Sequence, residues 1–202
     1  MTNRAYLTVT PWERIYPSAG DLAFSVEAHT ALASAGCVPL LWIAAFSEAD
    51  LREHTFPPQP PHRPAAVAFR APLARTSEAL ERLVGRKEWL VSLYADRGPL
   101  DYHLELFCAH LRAYEGPWMS IELEEIAALA REPRAFDEEL RACLSLLDRR
   151  APEVRERLAA LSTVLLDQRF VTLEDAPKAT RQEQWNFFRL LGEGWGKPTP
   201  WD

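Results

Sequence analysis

The chain has 202 residues, 48% of them hydrophobic and 26% charged, an ordinary mixture for a globular protein and long enough to bury a core without staples. A net charge of −6 argues against a nucleic-acid binder, which carries a basic face, and is compatible with a basic protein partner. The three cysteines, Cys37, Cys108 and Cys143, lie in apolar runs with neither disulfide nor zinc spacing, so they read as reduced core residues of a cytoplasmic protein.

The N-terminus lacks a basic start followed by an apolar stretch, so no signal peptide is expected. The longest apolar run, residues 37–46, is too short to span a bilayer, which needs about 20 residues. The expectation is one domain over residues 1–202.

Residues 5–10 are β-branched and aromatic and stop at Pro11, which predicts a first strand. Residues 18–21 read as a turn. The alanine-rich segment 26–35, followed by Gly36, reads as a short helix with a glycine end. Residues 37–46 suit a central strand buried on both faces. A buried helix has the same apolar look, but Pro39 argues against it. Ser47 and Asp50 have the spacing of a capping box and announce a helix start. Residues 57–64 are proline-rich and favour an extended surface loop; a PxxP ligand is the sharper alternative.

Residues 66–70 read as a short strand. Thr76-Ser77 caps a helix with Leu80, Leu83 and Val84 inward, which either ends at Gly85 or runs on through Trp89, Leu90 and Leu93. In residues 100–111, Leu100, Leu104, Phe107, Cys108 and Leu111 form one helical stripe, ended by Gly116-Pro117. Residues 118–123 alternate like a half-buried strand, and Glu124-Glu125 opens a second helix with Ile126, Leu129 and Ala130 inward. Pro133 interrupts. A helix then runs over residues 136–147 on Leu140, Cys143, Leu144 and Leu147, and the next places Pro152 near its start with Val154, Leu158, Leu161 and Leu165 inward. Residues 169–173 read as a last short strand. Thr180 caps a helix over Arg181–Leu191, ended by Gly192 and followed by an exposed aromatic tail at Trp195 and Trp201. The fold class is α+β, with a mixed or antiparallel sheet from the N-terminal half and helices in the C-terminal half.

Chemistry is sparse. His103 and His110 lie seven apart on one helix, about 10.5 Å of rise, too far to grip one metal together. Asp101, His103 and Glu105 point away from one another on a helix. No GxSxG, P-loop or dinucleotide fingerprint occurs, and only eight glycines are present. Neither a cofactor nor a metal is expected. An enzyme with dispersed residues, His103 or His110 acting as base, is the alternative to a binding protein; an adaptor module is a third. The acids Glu122, Glu124, Glu125, Glu132, Asp137, Glu138 and Glu139 cluster in sequence. They read either as a solvated surface stabilising helix starts or as a docking face for a basic partner.

Asn3-Arg4-Ala5-Tyr6-Leu7 resembles the Asn-Arg-Ser-Tyr-Leu opening of a bacterial family of small immunity-type proteins of polymorphic toxin systems. Val38-Pro39-Leu40-Leu41-Trp42 is similar to that family's early apolar strand. Ser120-Ile121-Glu122-Leu123-Glu124-Glu125-Ile126 is similar to its late strand-to-helix segment, and the stretch from Trp185 to Trp195 to its tryptophan-bearing end. The chain departs from the family at the proline-rich loop and through most of residues 130–170. The resemblance implies no catalytic residue, no membrane and no direct nucleic-acid contact. It implies a cognate toxin neutralised stoichiometrically by occlusion of its active site, with a basic cleft if it works on nucleic acid; the lack of a signal peptide implies that this toxin acts in the cytoplasm. Glu124, Glu125, Glu132, Asp137 and Glu138 are the expected contact patch.

Overall fold

The computed structural model describes residues 3–15, 30–56, 67–94, 97–127, 133–164, 170–194 and 199–201. Six strands form one antiparallel sheet: β1 (Arg4–Thr10), β2 (Thr30–Ala35), β3 (Leu51–Phe56), β4 (Val67–Arg75), β5 (Trp118–Glu122) and β6 (Glu193–Gly194), in the order β3-β4-β5-β1-β2-β6. The helices among the described residues are α1 (Leu40–Ala45), α2 (Thr76–Ser92), α3 (Arg97–Arg112), α4 (Glu124–Ala127), α5 (Pro133–Asp148), α6 (Val154–Ser162) and α7 (Arg181–Leu191). The fold is α+β, as the sequence predicts.

Directly paired residues share a face of a sheet. Leu7 opposes Leu32 and Ile121, and Val9 opposes Met119, which makes one largely apolar face, with Ser34 opposite Ala5 on it. Thr8 opposes Ser120, and Tyr6 opposes Glu122, on the other. That second face is polar, yet Thr8, Thr10, Ser120 and Glu122 are all buried. The alternation in residues 118–123 is therefore that of a central strand whose polar positions are also covered. The hydroxyls of Thr8 and Ser120 satisfy one another at 2.8 Å.

Two assignments are exchanged. The expected helix over residues 26–35 is strand β2 where it is described, because the ladder to β1 from Arg4↔Ala35 to Thr8↔Thr30 outweighs alanine's modest helix preference. Gly36 still ends it, at φ +72°. The expected strand over residues 37–46 holds helix α1 instead. Pro39 stands just before its first turn, where a missing N–H does no harm, and its carbonyl accepts from Trp42 and Ile43. All six α1 residues are inaccessible, so the helix is apolar all round because it is buried all round.

The frame around α1 is electrostatic. Its C-terminal carbonyls have no basic group in their own last turn. Helix α2 supplies two: Arg86 donates to the carbonyls of Ala44 (2.7 Å) and Phe46 (2.6 Å) and to Asp148 (2.6 Å), while Arg82 donates to Ala45 (3.0 Å) and Asp50 (2.7 Å). Burial lowers the Arg86 pKa to about 10, opposed by Asp148, so it remains a cation at neutral pH.

The Ser47–Asp50 capping box forms, with Ser47 N–H and Oγ both donating to Asp50 at 2.7 and 3.0 Å. It heads only a 3₁₀ turn, after which the chain becomes edge strand β3, which the sequence reading missed. Strand β4 runs to Arg75, past the expected end at residue 70. Helix α2 runs through Gly85 to Ser92, and Val84, expected inward, is exposed. Pro133 starts α5 rather than interrupting, a position proline tolerates. Residues 170–173 form no strand; Phe170 and Val171 are buried as packing groups, Phe170 edge-on to Tyr94 at 5.4 Å. The stripes of α3 and α5 are buried as expected, and all three cysteines are free and buried. The proline-rich loop 57–64, the turn at 18–21 and residues Leu129, Ala130 and Leu165 lie outside the described residues. No described helix is long and apolar enough to cross a membrane.

Candidate functional site

Helix α7 is fixed at both ends. Thr180 and Glu183 close a capping box at its start: Thr180 N–H and Oγ1 donate to Glu183 at 2.8 Å, and Glu183 N–H returns to Thr180 Oγ1. At the other end Gly192 takes φ +82°, a left-handed position where an added Cβ would stand 2.4 Å from the Trp42 ring. Two indoles satisfy carbonyls left over there: Trp42 Nε1 donates to Leu191 (2.7 Å) and Trp201 Nε1 to Gly192 (2.8 Å). Trp201 is therefore buried, which corrects its expected place in an exposed tail; Trp195 lies outside the described residues.

The inner face of α7 buries Asn186, Phe187, Leu190 and Leu191. The outer face leaves Trp185 48% and Phe188 37% exposed, two of the four exposed large hydrophobics among the described residues. They form one wall of a groove of about 440 Å³. The facing wall is the end of β2, Ser34 and Ala35, with Gly36 and Cys37, and with Thr163 just after α6. Thr163 has φ +57°, a conformation that a β-branched residue adopts only when its surroundings impose it, at a cost of about 1–3 kcal/mol.

The charges are uneven. Glu193 at one margin is paired with Arg4 at 3.0 Å. Arg189 leans over the Trp185 ring at 5.9 Å and has no ion pair among the described residues. The Cys37 thiol is 3.3 Å from Ser34 Oγ; burial raises its pKa, against the pull of the Ser34 and Thr163 hydroxyls and Arg189, so it stays a neutral thiol and not a nucleophile. Two aromatic rings, two hydroxyls and, among the described residues, one cation without an ion pair therefore line the groove.

No family model, no curated protein and no solved structure matches the chain.

Of the five expected contact acids, four are described, and two of them hold the chain's own backbone. Glu125 Oε2 accepts the Arg4 backbone N–H at 2.8 Å and its carbonyl accepts from Asn3, so it secures the start of β1. Glu124 is half-buried at the head of α4. Asp137 accepts the Arg70 backbone N–H at 3.1 Å and holds β4 to α5. Glu138 is exposed on a separate groove, of about 420 Å³, where Arg141 is already opposed by Glu48 and Arg157 by Glu139. Glu132 lies outside the described residues. Glu122 is buried; its Oε1 accepts the Glu124 N–H at 2.7 Å and its Oε2 has no partner. Burial first, and the Glu125 charge second, hold its pKa well above the carboxylate range.

His103 and His110 each pack against aromatic rings. His103 is wholly buried, edge-on to Phe187 at 4.6 Å, and burial lowers its pKa to about 4, only partly opposed by the Val171 backbone. His110 sits edge-on to Trp201 (5.2 Å) and Tyr114 (5.3 Å). Asp101 and Glu105 share Lys87 at 2.6 and 2.9 Å on the side of α3 away from the His103 ring. Among the described residues no three His, Cys, Asp or Glu side chains gather as a metal requires.

Sequence reasoning missed the α7 groove. The weak signal was the order of residues 185–189: Trp185 and Phe188 stand three apart on the face opposite Phe187, Leu190 and Leu191, a helix apolar on two sides.

Proposed function

We propose that this protein works by binding another protein, and that the α7 groove is its contact surface. The observation that carries the reading is the exposed Trp185–Phe188 pair on a helix held at both ends, beside a strained Thr163. Aromatic side chains on a rigid element are the commonest anchors of protein interfaces. The N-terminal and tryptophan-bearing resemblance to immunity-type proteins supports a cognate antibacterial toxin as the partner. That toxin would be met in the cytoplasm and neutralised one-to-one by a surface of roughly 1,200–2,000 Å² that blocks its active site. The acids around α4 and α5 fit less well as contacts, because Glu125 and Asp137 already hold the chain's own backbone.

The test is co-expression with the product of a toxin-like reading frame directly upstream. A stoichiometric complex that co-purifies and restores growth is the expected result. W185A, which removes only an exposed side chain, is expected to weaken that complex about ten-fold or more. A chain that forms no complex with that product and gives no protection ends the toxin reading.

A further inference from the structure

We propose that the α7 groove takes an extended, acidic–apolar segment of the partner, with one large apolar side chain seated between Trp185 and Phe188 and a carboxylate on Arg189. The inference rests on the protein-binding reading and names the chemistry of what enters.

Three observations carry it. Trp185 and Phe188, three apart on α7, are both exposed and line the same groove, and the capping box and two indoles hold the ends of the helix that carries them. The floor between them and β2 is apolar at Ala35 and neutral at the Cys37 thiol, so an apolar side chain loses no hydrogen bond on entering. Arg189, half-buried at the margin, has no ion pair among the described residues, whereas Glu193, the acid at the same margin, is paired with Arg4. The missing complement is one carboxylate. A guanidinium already leaning on an indole is preorganised to accept it, since its planar fork matches both oxygens.

Other occupants fit worse. A nucleic acid neutralises several cations at once, and this groove offers one, on a chain of net charge −6. A second copy meeting at this groove about a two-fold axis brings the same surface to itself, and the one acid on that surface, Glu193, is already paired with Arg4.

The test is fluorescence anisotropy with three labelled peptides of equal length: Glu-Leu-Phe-Glu-Asp, its basic counterpart Lys-Leu-Phe-Lys-Lys, and the polar control Glu-Ser-Ser-Glu-Asp. The acidic–apolar peptide is expected to bind about ten-fold or more tighter than either of the others. W185A is expected to lose that binding, and R189E to invert the preference toward the basic–apolar peptide, both with unchanged circular dichroism and melting temperature. Equal binding of the acidic and basic peptides overturns the proposal, and so does an R189E variant that keeps the wild-type preference. A concentration-dependent dimer in sedimentation that W185A abolishes assigns the groove to a second copy instead. A toxin complex that survives both W185A and R189E removes the groove and leaves the protein-binding reading standing. Peptide selectivity without any toxin complex keeps the groove as a protein-binding site and ends only the toxin reading.

Discussion

The surroundings of α1 and the outer face of α7 treat the same kinds of side chain in opposite ways. Every residue of α1 is buried, and its helix-end carbonyls are met by Arg82 and Arg86, themselves opposed by Asp50 and Asp148. Along α7, two aromatic rings face solvent, Arg189 has no ion pair among the described residues, and the neighbouring Thr163 holds a conformation that costs free energy. A fold under selection for stability alone would resolve all three. Local rules that fail together on a rigid scaffold are the observation from which the proposed contact surface is argued.

Breaking the α1 frame is expected to have the largest effect. Arg86→Met leaves the Ala44 and Phe46 carbonyls without donors and Asp148 without its cation, and should lower stability by about 3–5 kcal/mol. Urea denaturation measures it. A loss within about 1 kcal/mol means that apolar burial alone keeps α1 in place.

The next effect lies directly behind the groove, at His103. In the unfolded chain its ring takes up a proton near pH 6.5; in the fold it does so only at about 4. Stability present above pH 6.5 is therefore lost as pH falls through that window, by about 3 kcal/mol in all. His103→Phe, which keeps a ring against Phe187, should flatten the acid limb of a stability-versus-pH curve without moving the groove.

A smaller change in the opposite direction sharpens the contrast. Thr163→Gly releases the left-handed strain at the groove and should raise stability by about 1 kcal/mol, read as an increase in the urea midpoint. An unchanged or lowered midpoint means that the Thr163 hydroxyl near Cys37 offsets its backbone cost.

The smallest effect on folding should come from the most conspicuous side chains. Trp185→Ala with Phe188→Ala should alter stability by no more than about 0.5 kcal/mol per site, because both are exposed. A large loss in the same denaturation experiment would make them packing groups and remove the contrast between the two regions.

The sequence by itself determined the elements whose instructions lie within a few residues of one another. The boundaries of α7 follow from Thr180, Glu183 and Gly192, the buried stripes of α3 and α5 from helical spacing, and β1 from its β-branched run before Pro11. It placed the cysteines in the core for the same reason. Tertiary structure decided everything that depends on a distant partner. Residues 40–45 became a helix because Arg82 and Arg86 cap it and the core surrounds it; the alanines of β2 became a strand because β1 pairs with them. Residues 51–56 became an edge strand although their charges hid the pattern, and Phe170 with Val171 stayed buried without a ladder. The acids adjacent in sequence were dispersed to separate tasks, while Ser34, Cys37, Thr163, Trp185 and Arg189 were brought to one groove. Capping and periodicity are written among near neighbours; pairing, burial and the sharing of charge are settled only when remote segments meet.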